Sequence, residues 1–216
     1  MAPEPPVAGP VGLSDYIEGY LVEDDTLVAA RTLGAQLGCA PVGAATGAAL
    51  RFLAAALRAK AVVEVGTGVG VSGLHLLRGM APDGVLTSID VEPEVQAVAK
   101  RTFRQAGVPP GRTRLIMGRA LDVLPRLSDG GYDLLFVDAA ATEYPAFHEH
   151  GVRLLRPGGV LAFDSVLYQG NIANPARRDA ETLALREVVR AVREDDRLVP
   201  LLLPLGDGLL LAAKIA

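Results

Sequence analysis

"VVEVGTGVGVSG", residues 62–73, decides the fold. A short apolar run meets glycines at alternate positions, Gly66, Gly68 and Gly70, and a helix-like stretch follows. Glycine there lets the backbone turn sharply and approach a ligand closely. Ser72 and the helix N-terminus offer hydrogen-bond donors. Twenty-four residues after Gly66, a second apolar run ends in Asp90. An acid at that distance is placed to accept hydrogen bonds from two ribose hydroxyls.

Read from Gly68, the loop also matches the dinucleotide fingerprint G-x-G-x-x-G through Gly70 and Gly73. Two features count against a nicotinamide cofactor. The first glycine after the strand is Gly66, and in that frame the third fingerprint position is Val71. Glu64 stands just before the loop, where a carboxylate is unwelcome beside a pyrophosphate. It suits a ligand with an amine or a positive centre, and S-adenosylmethionine has both and no phosphate.

Outward from the loop, apolar runs alternate with helix-like stretches. The runs are AVVEV (61–65), VLTSID (85–90), TRLIM (113–117), YDLLFVD (132–138) and GVLAFD (159–164). Helices are expected over Glu94–Ala106 behind Pro93, over Tyr144–Leu155 with Pro145 near its start, and over Asp179–Asp195. This alternation predicts a mostly parallel sheet with helices on both faces. The last stretches, LVPLLLPL and LLLAAKIA around GDG, read as a hairpin adding an antiparallel strand, for seven strands in all. Before Ala61 the pattern is helical. Leu27, Ala30, Leu33 and Leu37 recur at helix spacing behind the capping candidates Asp24 and Asp25, and a second helix is expected from Thr46 to Leu57. The organisation expected is a disordered tail over 1–13, marked by Pro3, Pro5, Pro6 and Pro10, and one domain over 14–216. That domain divides into N-terminal helices (14–59) and a Rossmann-like core (60–216).

Of the 216 residues, 50% are hydrophobic and 21% charged, and the net charge is −4. No cluster of Lys and Arg suits nucleic acid. Cys39 is the only cysteine, so an intrachain disulfide is impossible and a reducing compartment is indicated. With neither a signal-peptide pattern nor an 18-residue apolar run, the expected location is the cytoplasm, away from membranes.

The combination of VVEVGTGVGVSGLHLL, GVLTSIDVEPE, DLLFVDA, LLRPGGVLAFDSVLYQGNI and LPLGDGLLLAAK resembles the S-adenosylmethionine-dependent O-methyltransferases related to caffeoyl-CoA and catechol O-methyltransferases. The small actinobacterial members are the most similar in arrangement. The resemblance runs from about Pro41 to the C-terminus. It implies a class I methyltransferase fold, an S-adenosyl-L-methionine cofactor and a small hydroxylated acceptor, and it makes a homodimer the expected assembly. It implies that Val42 lines the methionine end, that Glu64, Gly66, Thr67 and Ser72 hold the amino-acid part, that Gly68 also binds the cofactor, and that Asp90 grips the ribose. Val91, Gly118 and Ala120 would bracket the adenine. Asp138 would lie between cofactor and acceptor as the catalytic candidate, with Tyr144 and Tyr168 on the acceptor side.

FVDAAATEY (136–144) departs from that family. Its loop ordinarily reads Asp-Ala-Asp-Lys; here it is Asp138, Ala139, Ala140, Ala141. Ala141 stands at the catalytic lysine and Ala140 at the second acid. The family's Asp-Asn pair after the fifth strand is Asp164 and Ser165. Metal ligands would thus be Asp138, Asp164 and Ser165, leaving the use of Mg2+ open. Three readings follow: an O-methyltransferase for an already acidic phenolic or enolic acceptor, a metal-dependent catechol-type enzyme, or a cofactor-binding module with little catalysis. A nicotinamide oxidoreductase is the alternative from another class. His148 and His150, two residues apart on a helix, point apart and are expected at the surface, His75 is expected to be structural, and Cys39 to be a buried small residue.

Overall fold

The computed structural model describes residues 12–215. The tail expected over 1–13 lies outside these residues except at its end, where Leu13 opens a helix. Helix α1 (Leu13–Glu18), α2 (Asp25–Gln36) and α3 (Ala44–Ala56) precede the sheet. Asp24 caps α2, its carboxylate accepting the Leu27 N–H at 3.1 Å. Leu27, Ala30 and Gly34 form the buried stripe of α2, while Leu37, read as part of that stripe, is exposed beyond the helix end.

The strands are β1 (Ala61–Val65), β2 (Val85–Asp90), β3 (Thr113–Met117), β4 (Tyr132–Val137), β5 (Leu155–Phe163), β6 (Leu198–Leu203) and β7 (Leu209–Lys214). Between them run α4 (Val71–Gly79), α5 (Pro93–Gln105), α6 (Ala120–Val123), α7 (Tyr144–Leu154) and α8 (Ala180–Glu194). The sheet order is β3-β2-β1-β4-β5-β7-β6. β1 to β5 pair in parallel, and β7 pairs antiparallel with both β5 and β6. β7 therefore fills the slot beside β5, and β6 is the edge. β5 begins earlier than the sequence suggests because its pairing with β4 shifts register between Tyr132 and Leu134.

Strand alternation sorts the core into two layers. Val62, Leu86, Leu134, Phe136 and Leu211 pack against α2 to α5. Val63, Val65, Leu135, Val137, Leu161 and Phe163 pack against α6, α7 and α8, whose buried stripe includes Leu185, Val188 and Val192. Helices thus cover both faces, as parallel strands require. No helix among the described residues is long and apolar enough to cross a membrane.

Candidate active site

The sheet order reverses direction at β1 and β4, whose C-terminal ends open a crevice; ligands of doubly wound sheets bind there. A cavity of about 860 Å³ occupies it. Val42, Gly66, Thr67, Gly68, Ser72, Asp90, Val91, Gly118, Ala120 and Asp138 all line it. The fold thus brings together positions more than 90 apart in sequence.

The loop after β1 must be glycine at its first position. Gly66 has φ +93°, and a Cβ there would sit 1.9 Å from the Asp138 carbonyl oxygen. This close approach brings the glycine loop against the start of the Asp138 loop. Asp90 is fixed by two backbone donors: Gly68 N–H to Oδ2 at 2.8 Å and Glu92 N–H to Oδ1 at 2.9 Å. Each carboxylate oxygen keeps lone pairs free for further donors.

Glu64 is a correction. It is 0% exposed and does not line the cavity. On β1 it shares the face of Val62 and sits directly opposite Ser88. Ser72 Oγ and Ser88 Oγ each donate to it at 2.6 Å. Burial pushes its pKa up to about 7, against those two hydrogen bonds. Its oxygens are occupied, so it acts on the cleft through Ser72, which lines it. Thr67 joins the same buried group, 2.7 Å from Ser88 Oγ.

Tyr144 is a second correction. It is 2% exposed, its ring lies 5.3 Å from that of Phe163, and its hydroxyl donates to the Asp164 carbonyl at 3.1 Å. It is a core residue supporting the floor, not a wall of the acceptor side. The aromatic sits at the first turn of α7, which turns inward to cover the sheet. His148 is a third: it is buried on α7, with Nε2 3.2 Å from an Asp195 carboxylate oxygen. His75 is buried as expected, 3.5 Å from Glu23. Cys39 lies on the cavity wall rather than in the core, and burial raises its thiol pKa.

Asp138 and Asp164 end adjacent strands. Burial first, then the charges of Asp164 and Asp90, raise Asp138 to about 7. Burial raises Asp164 to about 6. Asp164 is 6% exposed, and its Oδ1 has no hydrogen-bond partner. Ser165 Oγ donates to Asp164 Oδ2 at 3.1 Å. As a donor set for a divalent cation this fits poorly: two carboxylates and a hydroxyl already turned onto one of them. No group of three His, Cys, Asp or Glu able to hold a metal occurs among the described residues.

Among the remaining lining residues, charge is the informative property. Glu92, Glu94 and Glu143 join Asp90 and Asp138 around the cavity, and Arg119, paired with Glu143 at 3.2 Å, is the one lining Lys or Arg. The negative field suits a cationic ligand and repels a pyrophosphate. The charges were visible in the sequence; that they share one rim was not.

After β5 the backbone is unusual. Ser165, Tyr168 and Gln169 have φ of 57°, 48° and 52°. A left-handed conformation costs about 1–2 kcal/mol for each such side chain, so outside contacts must hold the segment.

A seven-stranded sheet of this order, with a glycine loop after β1 and an acid closing β2, defines the class I methyltransferases. The chain belongs to the O-methyltransferase family, whose sequence profile matches residues 19–215. A Mycolicibacterium vanbaalenii protein, by its provisional name an O-methyltransferase, is 53% identical over 200 residues, covering 93% of this chain and 88% of that protein. A Corynebacterium glutamicum protein of known structure superposes with a TM-score of 0.87 at 33% identity, covering 93% of this chain and 94% of its own. The O-methyltransferase TomG from Streptomyces achromogenes, involved in tomaymycin synthesis and solved with S-adenosylmethionine, superposes with a TM-score of 0.86 at 28% identity, covering 94% and 96%. The family match displaces the nicotinamide alternative.

Proposed function

We propose that this chain moves a methyl group from S-adenosylmethionine to a hydroxyl of a small phenolic or enolic acceptor, with Asp138 as general base and without the lysine and metal of the resembled enzymes. The observation that carries this reading is Asp138 itself: a cavity-lining carboxyl with a pKa raised to about 7, near the optimum for a base at neutral pH.

S-adenosylmethionine, when bound, supplies a methyl group on a positively charged sulfur, which keeps the C–S electron pair as the acceptor oxygen displaces it in line. The cavity fits it in size and in charge. Asp90 holds the ribose hydroxyls with the lone pairs left by Gly68 and Glu92. Gly66, Thr67, Gly68 and Ser72 take the amino-acid part, with Glu64 fixing the Ser72 hydroxyl from below and Val42 closing that end. Val91, Gly118 and Ala120 bracket the adenine. Asp138 receives the acceptor proton as the oxygen attacks, and Tyr168 borders the acceptor. Ala140 and Ala141 contribute no charge, so ionisation falls to Asp138 and to the acceptor's own acidity. A positioned base of this kind contributes about 100-fold or more.

The test is methyl transfer to catechol, caffeic acid and an enolic 1,3-diketone, with EDTA or with added Mg2+. Turnover that survives EDTA is expected. Turnover only with Mg2+ would sink the metal-free reading. Tight S-adenosylhomocysteine binding with no turnover would favour the binding module instead. We also propose a homodimer. Its support is the exposed apolar side chains of α1 (Leu13, Tyr16, Ile17) and of the edge strand β6 (Val199, Leu201, Leu202); sedimentation at a monomer's mass would reject it.

A further inference from the structure

The left-handed segment after β5 is held by two residues given no role in the sequence reading: Asp207, the centre of the GDG turn, and Arg186 of α8. Asp207 lies in the β6–β7 connection. Both its carboxylate oxygens accept the Gln169 N–H, at 2.7 and 2.9 Å, and its carbonyl accepts the Leu167 N–H at 2.8 Å. Next to it, the Gly208 carbonyl accepts the Val166 N–H at 3.1 Å. Gly208 has φ +94°, and a Cβ there would meet Leu167 Cγ at 2.3 Å, so connection and segment are in direct contact. The far end is held by Arg186 of α8. Its guanidinium donates to the carbonyls of Ile172 at 2.9 Å, Asn171 at 3.1 Å, Arg177 at 2.8 Å and Asn174.

One charged side chain therefore grips the segment at its most strained backbone, and another gathers four carbonyls of its exit. Neither residue lines the cofactor cavity. Both act on the stretch that begins beside Asp164 and contains Tyr168. We infer that Asp207 and Arg186 are positioning residues for the methyl acceptor, holding residues 165–177 in the one shape that forms the acceptor wall. This inference rests on the proposed reading of Tyr168 as an acceptor-side residue. It explains why carboxylate and guanidinium are used where the surface would tolerate neutral groups. A carboxylate offers the Gln169 amide two charged acceptor oxygens, and four carbonyls around one point suit the five-donor fork of arginine.

The experiment uses the full chain with S-adenosylhomocysteine bound. In Asp207→Ala, two backbone bonds still dock the connection, so the fold is retained. Hydrogen exchange at Leu167–Gly170 should rise about tenfold or more, since a hydrogen bond to a charged group is lost. Asp207→Asn, which keeps one acceptor oxygen, should restore part of the protection. Arg186→Lys should loosen residues 171–177 while leaving 165–170 protected. S-adenosylhomocysteine affinity should stay within about twofold in all three, because the cofactor half is untouched. On any acceptor the parent turns over, KM should rise more than kcat falls, by about tenfold in Asp207→Ala. Unchanged exchange in Asp207→Ala overturns the inference. So does faster exchange with unchanged KM, because the segment would then be held for stability alone. A parent that binds S-adenosylhomocysteine but turns over none of the three acceptors sinks the acceptor reading itself, and the role inferred here with it, whatever the exchange data give.

Discussion

On the β1–β2 side of the cleft, the groups that shape the wall lie between Glu64 and Asp90 and hold one another: Gly68 donates to Asp90, and Ser72 and Ser88 share Glu64. On the β4–β5 side, the loop after Asp138 is three alanines, and the loop after Asp164 takes its shape from Arg186, on the helix that follows it, and from Asp207, which lies beyond that helix in the β6–β7 connection. One half is a single strand–helix–strand device, announced by its glycines and the acid that closes it. The other draws on a separate helix and on the hairpin connection, around two carboxyl groups. Local devices survive in sequence as spacing, whereas assembled ones leave only isolated residues.

The largest test of the local half is Gly66→Val. Its side chain would occupy the place of the Asp138 carbonyl, and its φ would remain strained. Calorimetry should find no S-adenosylhomocysteine binding, and normal affinity would mean the two loops are not in contact. Next comes Asp138→Asn, expected to lower kcat about 100-fold or more. In the parent, kcat/KM for the acceptor should rise with pH until Asp138 is ionised, near pH 7 in the free protein and lower once a cationic cofactor is bound. The same carboxyl strains the fold. Its pKa is 3.8 unperturbed and about 7 when folded, so between those values the native state keeps a proton that the unfolded chain releases. Stability then falls as pH rises through that window. Asp138→Asn should therefore melt higher than the parent at pH 8 and gain nothing at pH 3; equal melting at pH 8 would mean that burial does not strain this group.

Asp90→Ala should weaken S-adenosylhomocysteine binding about 10- to 100-fold, the worth of hydrogen bonds to a charged acceptor. Unchanged affinity would misplace the ribose. The smallest effect belongs to Tyr144→Phe. Loss of one hydroxyl donor to the Asp164 carbonyl should cost about 1 kcal/mol in denaturant unfolding and leave acceptor KM within about twofold. A large KM change would return Tyr144 to the acceptor wall.

Strand positions were legible because apolar runs bounded by Gly, Pro and acids leave little choice of ends; β1, β2 and β3 match the runs residue for residue. The placement of β7 inside β6 was not legible, since a hairpin reads the same from either side and only tertiary contact selects which strand meets β5. Of the ten expected cofactor positions that line the cavity, Gly66, Thr67, Gly68, Ser72, Asp90 and Val91 belong to one βαβ unit and its end, whose spacing is legible; Val42, Gly118, Ala120 and Asp138 were expected from the family resemblance alone. Glu64 and Tyr144 misled because composition says which groups are polar or aromatic but not which face of their element is covered. Ser72 and Ser88 turn the first inward, and Phe163 claims the second. His148 deceived similarly: its partner Asp195 lies past the end of another helix. The left-handed residues 165, 168 and 169 carry no glycine to announce them.

The slot that β7 takes has a consequence for synthesis on the ribosome. Strands β1 to β5 can each join an existing neighbour or open edge as they emerge, so the half that binds the nucleoside can assemble early. β6 emerges with no hydrogen-bonding neighbour, because its place lies one strand away from β5. Leu201 and Leu202 then wait unpaired until β7 arrives to join them to the sheet, and transient unpaired strands of this kind invite aggregation. Asp207, in the connection between the two strands, reaches Gln169 in that same late closure. The acceptor side is thus completed last, and a chain stalled before β7 would have its cofactor loop in place and no wall opposite it.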